Sequence, residues 1–222
     1  MEKLKFDKNF DTYDENASVQ KIVAKKLVAY FDKKKYENVL ELGAGTGIFT
    51  KEILSKIDIS NLTLNDYFDT RKYFEKIPYQ KFLKGDMNRI EWENYDLVCS
   101  SSSFQWIDDL DGLLKNISQH SEELIFSIYV DGNLKEIKEH FKISLNYMRF
   151  AEILKILKKY FIVQEAEEEE ITLNFNSPLN VLRHLKYTGV TGIGETTVRD
   201  IRSFSEKKLT YRVAYFKCRR KK

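Results

Sequence analysis

Cysteine is nearly absent from this chain: Cys99 sits in an apolar run, Cys218 in a basic tail, and neither has the spacing of a metal ligand. That argues against a thiolate metal site and for a reducing compartment, the cytoplasm. Long hydrophobic runs are missing too. The run LIFSIYV at residues 124–130 is far too short to span a bilayer, so no membrane association is expected. The N-terminal MEKLKFDKNFD alternates charge with isolated apolar residues and carries no signal-peptide core. There is no low-complexity linker and no internal repeat. No Ser-His-Asp or Cys-His set stands out, and no Gly-Lys-Ser/Thr is present, which excludes a Walker loop.

What is present is ordinary for a globular protein: 42% of residues are hydrophobic and 32% charged, in 222 residues, enough for one α/β domain with a real core. The net charge of +3 is unevenly spread. Residues 165–170 read EAEEEE, expected to be a solvated strand entrance. The C-terminal part holds Arg199, Arg202, Lys207, Lys208, Arg212, Lys217, Arg219, Arg220, Lys221 and Lys222. That stretch could be a solubilising tail, a docking surface for an acidic protein or a nucleic-acid contact.

Strands and helices alternate along the first part of the chain. SVQKIVAKKLVAYF (residues 18–31) spaces its apolar residues as an amphipathic helix does. YENVLEL, NLTLND, YQKFLKGD, YDLVCSSSS and ELIFSIYV read as strands, with helices expected at IFTKEILSKI, TRKYFEKI and LDGLLKNISQH. This order argues for a doubly wound, mostly parallel sheet with helices on both faces. After Asp131 the pattern changes to lysine-rich helices, GNLKEIKEHF and YMRFAEILKILKKYF. EEEITLNF and KLTYRVAYFKCR then read as an antiparallel pair of strands. Between them a helix is expected with Ser177 as N-cap, Pro178 at its first position and Gly189 as its stop. The chain is expected to form one domain over residues 1–222, with the pattern changing at about residues 36 and 130.

The most informative stretch is NVLELGAGTGIFTKEIL, residues 38–54. Glycines tolerate positive φ and lack a Cβ, so backbone and ligand can approach closely. The spacing Gly43, Gly45, Gly47 is not the G-x-G-x-x-G of a phosphate-binding dinucleotide fold. Acids surround it instead. Asp66 closes the second strand about 20 residues on, where a carboxylate can hold ribose hydroxyls. Asp86 follows the third strand, where it can accept from an adenine amino group, and Glu41 can meet the positive end of an amino-acid-like ligand. Acids with no cation to meet phosphate favour a ligand with ribose, adenine and ammonium groups. S-adenosyl-L-methionine fits.

These segments, ELGAGTG, LTLND, KGDM and YDLVCSS, resemble the class I S-adenosylmethionine-dependent methyltransferases in order and strand position. The resemblance implies a seven-stranded sheet of order 3-2-1-4-5-7-6 with its last strand antiparallel and a small helical lid. In its terms residues 1–36 would be an N-terminal lid and helix, residues 37–130 the cofactor-binding core, and residues 131–222 the substrate-side helices with the final strands. By the same resemblance Gln20, Glu41, Gly43, Ala44, Gly45, Asp66, Tyr67, Asp86, Met87, Ser100 and Ser101 would line the cofactor pocket. Nucleobase amine methylation typically needs Asn/Asp-Pro-Pro-aromatic after the fourth strand. Here that position reads SSSSFQW, which speaks against nucleic acid as a substrate.

Three further segments, FDTYDENASVQ, SFQWIDDL and SPLNVLRHLKYTGVTGI, are similar to the malonyl-[acyl-carrier-protein] O-methyltransferases of biotin synthesis. That family esterifies the free carboxyl of a malonyl thioester. The resemblance implies malonyl-acyl carrier protein as partner, with malonyl-CoA as a substitute, and the basic C-terminal stretch as a docking surface. A carboxylate is ionised at neutral pH and needs no general base, so none is assigned. Tyr13, Phe104, Trp106 and Tyr187 are candidates to line the acyl site, and Arg149, Arg183, His184 and Lys186 to orient the carboxylate. The chain between Gly194 and Lys208 is short and charged, leaving few residues for the last helix. Two other readings stay open: a small-molecule C- or O-methyltransferase of the quinone or aconitate type, and a non-catalytic cofactor-binding scaffold.

Overall fold

The computed structural model describes residue 14, residues 16–188 and residues 197–221. Its strands are β1 (Lys35–Leu42), β2 (Asp58–Asp66), β3 (Lys81–Lys84), β4 (Tyr95–Ser101), β5 (Ser121–Tyr129), β6 (Phe161–Asn174) and β7 (Lys208–Arg220). They form one sheet in the order β3-β2-β1-β4-β5-β7-β6. The pairs β1–β2, β1–β4, β2–β3 and β4–β5 are parallel, whereas β7 runs antiparallel to both β5 and β6. This is the architecture the resemblance implied.

Strand alternation splits the core into two layers. Val39 of β1, Leu97 of β4 and Ile125 of β5 face one side, packing against α1 (Ser18–Leu27), α2 (Ile48–Leu54) and α6 (Pro178–Tyr187). Leu40, Val98, Leu124 and Phe126 face the other, packing against α3 (Leu110–His120) and α5 (Phe150–Tyr160). Helical spacing does the matching work. Val19, Val23 and Leu27 form one buried stripe on α1, and Leu110, Leu113, Leu114 and Ile117 form another on α3. Truncating a fully buried leucine such as Leu113 to alanine costs about 2–5 kcal/mol. The caps read from the sequence are present where they fall on described residues: the Ser177 side chain accepts from the Asn180 N–H, with Pro178 at the first helical position. Gly189 lies outside the described residues.

Two expectations are corrected. The segment TRKYFEKI forms no α-helix, only a 3-10 turn at Arg71–Tyr73. Phe74 leaves that turn to bury itself beneath the glycine loop, its ring 2.9 Å from where a Cβ on Gly47 would stand, which pins the connection before a helix can propagate. The acidic run is not a strand entrance; it is the middle of edge strand β6, in register with basic β7. Glu168 pairs with Arg212 at 2.7 Å, and the buried Lys217 ammonium meets Asp32 and Glu165. Glu167 and Glu169 both reach Lys26 of α1, at 2.8 and 2.7 Å. Charge on an exposed edge also opposes further strand addition.

The β6–β7 ribbon outruns the rest of the sheet. Val213 already pairs with Tyr129, the last residue of β5, so Lys208–Arg212 and their β6 partners project past the carboxyl edge. Three helices gather on this overhang: α4 (Lys135–Phe141), α6 and α7 (Val198–Ser203). Buried Glu136 of α4 accepts from both the N–H and the hydroxyl of Thr210, at 3.0 and 2.6 Å. His184 of α6 meets the Tyr211 hydroxyl at 2.9 Å, and Phe204 after α7 stacks on Phe141 of α4. The short chain before β7 thus still makes a helix, closed by a capping box between Thr197 and Asp200.

Candidate functional site

The carboxyl ends of β1, β2, β3 and β4 converge where the strand order reverses, between β1 and β4, which is where open α/β sheets bind ligands. Gly43 and Ala44 donate from their backbone to the Asn65 carbonyl, both at 2.9 Å, tying the loop to β2. Gly43, Gly45 and Gly47 all have positive φ, for different reasons. A Cβ on Gly43 would come 2.2 Å from the Ser103 hydroxyl oxygen, so that glycine exists for packing. A Cβ on Gly45 would meet nothing within 4 Å, so this glycine presents open backbone to the site.

The acids stand around that opening. Asp66 accepts from the Gly45 N–H at 2.8 Å with one oxygen and from the Phe68 N–H at 2.9 Å with the other. Burial raises its pKa, opposed by the backbone N–H groups of Phe68, Gly45 and Tyr67. Glu41 is 1% exposed and takes a 2.7 Å hydrogen bond from the Thr50 hydroxyl. Burial pushes its carboxyl up to about 8, the negative Asp66 adds to the rise, and the Thr50 contact opposes it. Asp86 turns the chain after β3, accepting from the Asn88 N–H at 3.0 Å, and Met87 packs towards Gly43. A cavity of about 480 Å³ opens beside Asp86, bordered by Arg89, Trp106, Ile107 and Lys115. Among the described residues no His/Cys/Asp/Glu cluster could hold a metal ion.

Glu41, Gly43, Ala44, Gly45, Asp66, Tyr67, Asp86, Met87, Ser100 and Ser101 therefore share one edge of the sheet. The Ser100 hydroxyl donates to the Leu42 carbonyl at 2.8 Å, which clamps β4 to β1. Gln20 of α1 has a buried Oε1 without a hydrogen-bond partner among the described residues. Asp14, shortly before α1, accepts from the Thr46 hydroxyl of the glycine loop at 2.5 Å. Tyr13 lies outside the described residues.

The substrate-side candidates separate. Phe104 is buried against Phe126 at 5.0 Å and belongs to the core. His184 is buried, and desolvation lowers its pKa, so it stays neutral near pH 7. Arg183, Lys186 and Tyr187 sit exposed on α6. Trp106 borders the cavity beside Asp86. Arg149 is exposed at the start of α5, and the carbonyl of its neighbour Met148 accepts from Asp131, two residues past β5.

Several contributors were not foreseen. Asn65 holds the loop through its carbonyl and ties its side chain to the carbonyls of Leu83 and Gly85, at 2.7 and 3.1 Å, leaving a buried Oδ1 without a partner among the described residues. A polar residue inside the apolar run LTLND was the one available signal. Thr50 and Ser103 gave none. Ser102 holds a left-handed φ of 56°, a conformation few side chains adopt, just after β4.

These residues fit an adenosyl sulfonium. The site offers carboxylates and open glycine backbone, and GAGTGIFT brings no lysine or arginine to meet a phosphate. Fold and site together define an S-adenosylmethionine-dependent methyltransferase. In agreement, residues 13–157 match the family model described as a methyltransferase domain. The solved N-methyltransferase of Bradyrhizobium japonicum, bound to S-adenosyl-L-homocysteine, shares this fold with a TM-score of 0.54 at 10% identity, covering 100% of this chain and 90% of that one. Over 213 residues the chain is 34% identical to the malonyl-[acyl-carrier protein] O-methyltransferase of Calditerrivibrio nitroreducens, covering 92% of this chain and 86% of that one. The protein of the same description from Haemophilus ducreyi is 34% identical over 206 residues, 85% and 79% of the two chains. The chain belongs to the malonyl-[acyl-carrier protein] O-methyltransferase family.

Proposed function

We propose that this protein transfers a methyl group from S-adenosyl-L-methionine to the free carboxyl of a malonyl thioester carried by acyl carrier protein, at the pimeloyl-forming stage of biotin synthesis. The observation that carries this reading is the extent of the kinship. It includes the substrate-side part of the chain after residue 130 as well as the cofactor core that many methyltransferases share.

The cofactor brings the reactive carbon as a sulfonium. Glu41, Asp66 and Asp86 would hold its ammonium, ribose and adenine groups, with Gly43, Ala44 and Gly45 allowing close approach and Met87 closing the adenine side. The chain's remaining task is placement of an oxygen in line with the methyl. A malonyl carboxylate is ionised at neutral pH, so the neutral, buried His184 is no obstacle to the chemistry. An anion meeting a sulfonium loses charge on the way to the transition state, which a partly dry site favours. Arg149 is the candidate to orient the carboxylate, since its neighbour Met148 is anchored just past β5, the strand beside β4. Trp106 is the aromatic candidate that shares a cavity with Asp86. Esterification removes a charge that would cost several kcal/mol to bury in an apolar acyl tunnel.

In this reading residues 37–130 supply the cofactor core and residues 131–222 the acceptor side of one domain. No helix among the described residues is long and apolar enough to cross a membrane. Both cysteines are free and buried, which suits the reducing cytoplasm where the carrier would be met. The test is competition between acceptors. Incubation with methyl-labelled cofactor should label a malonyl thioester and leave a quinol unlabelled; the reverse pattern would replace this reading by a small-molecule methyltransferase.

A further inference from the structure

Resting on that reading, we infer that the acyl carrier protein docks on the outer surface of α7 and the first residues of β7, at the overhanging rim, and not on the basic C-terminal end. The basic residues that look continuous in sequence are split by the fold. β7 is a 13-residue strand, so its two ends stand about 40 Å apart at roughly 3.3 Å per residue. Arg219 pairs with Glu123 and Arg220 with Phe161, the first residue of β6, at the amino edge of the sheet. The glycine loop and the acids lie at the opposite, carboxyl edge. In the middle of the strand, Arg212 and Lys217 are occupied by Glu168, Asp32 and Glu165.

The rim is different. Arg199, Arg202, Lys207 and Lys208 are all exposed, and none has an ion-pair partner among the described residues. Interleaved with them, Val198 is 64% exposed and Ile201 45%. Spacing of three puts Val198 and Ile201 on one stripe of α7, with Arg199 and Arg202 on the next. Of the nearby acids, Asp200 is turned back to cap its own helix through Thr197, and Glu206 stands exposed beside Lys207; Arg199, Arg202, Lys207 and Lys208 outnumber that carboxylate around the apolar centre. The neighbouring α6 repeats the pairing with exposed Leu179 and Arg183. Large apolar side chains left in water beside unneutralised charge mark a contact surface. Its complement is a helix carrying carboxylates around a small apolar stripe, as an acidic carrier protein offers. From this rim a tethered thioester enters the carboxyl edge directly.

The experiment is a titration of fluorescein-labelled holo acyl carrier protein, followed by anisotropy at low and at moderate salt. The rim variant R199A/R202A/K207A/K208A should weaken binding at least about tenfold and flatten its salt dependence. Replacing Val198 and Ile201 by serine should also weaken binding while leaving the salt dependence unchanged. R219A/R220A/K221A should bind within about twofold of the parent protein. The rim variant keeps Thr197 and Asp200, and unchanged thermal melting and cofactor affinity establish that it is folded. Parent-like binding by the rim variant, weakening in the C-terminal variant, or no carrier binding by the parent protein would each overturn the proposed surface. Methyl transfer to malonyl N-acetylcysteamine thioester, which has no carrier, is measured in parallel and should be equal for all variants. If the parent protein transfers no methyl to any thioester, the proposed function falls, whereas the binding result still decides the surface.

Discussion

Glu41 offers the sharpest quantitative consequence of the site. Its carboxyl is fully buried, takes a single hydroxyl donor from Thr50, and is pushed from 4.5 up to about 8 by burial, with the charge of Asp66 adding to the rise. At pH 7 such a group is roughly 90% protonated. Placing the cofactor's positive charge beside it favours the carboxylate, so cofactor binding at pH 7 should release up to about 0.9 proton. The release should fall towards about 0.1 near pH 9. Stability carries the same signature. A carboxyl whose pKa is raised on folding binds a proton that the unfolded chain has already lost, so unliganded stability falls as pH rises from about 4.5 to 8. The swing from Glu41 alone is at most about 5 kcal/mol, 3.5 pH units at roughly 1.4 kcal/mol each, or about 10 °C in Tm for a chain of this size. The assay is calorimetric titration with S-adenosyl-L-homocysteine and S-adenosyl-L-methionine in buffers of different ionisation enthalpy, with melting curves from pH 5 to 9. Glu41→Gln should remove the proton release, flatten the melting profile and weaken binding. Binding heats that do not depend on the buffer at pH 7 would mean that Glu41 loses no proton when the cofactor binds.

Other consequences follow from single contacts. Gly43→Ala places a Cβ against the Ser103 side chain and strains a φ of 72°, so it should cost about 1–3 kcal/mol; adding Ser103→Gly should recover only the steric part in a double-mutant cycle of chemical melts. Glu136→Gln keeps the shape but weakens the grip on Thr210, so the overhang should lose about 1–3 kcal/mol, read as faster amide exchange in α4 and at the start of β7. Arg149→Ala should raise KM for the malonyl thioester at least tenfold with cofactor Kd unchanged, and Arg149→Lys should recover part of it; unchanged KM would pass the carboxylate-orienting role to another cation.

The sheet was legible because its signals are local and repeated. Alternating apolar strands, helical stripes on α1 and α3, and the Ser177-Pro178 start of α6 each stand in a few consecutive residues. The order of the strands came from resemblance, and the structure has that order. What failed depended on contacts distant in sequence. TRKYFEKI has helical composition, but Phe74 is claimed by the glycine loop more than 20 residues earlier. EAEEEE is largely exposed as expected, but its place in the middle of β6 is set by β7, which supplies Arg212 and Lys217 some 45 residues on. The basic C-terminal stretch looked like one surface because sequence does not reveal that a 13-residue strand carries its two ends to opposite edges. For the site, the glycines and acids announce themselves, while Asn65, Thr50 and Ser103 act through positions that only folding brings together.

On this reading the chain caps a malonyl carboxylate with a methyl group from S-adenosyl-L-methionine. Mass spectrometry of malonyl-acyl carrier protein after incubation with enzyme and cofactor tests it most directly. The expected result is a mass increase of one methyl group per carrier, removed by mild base as an ester is. An unchanged carrier mass, from folded protein that still binds the cofactor, would contradict it.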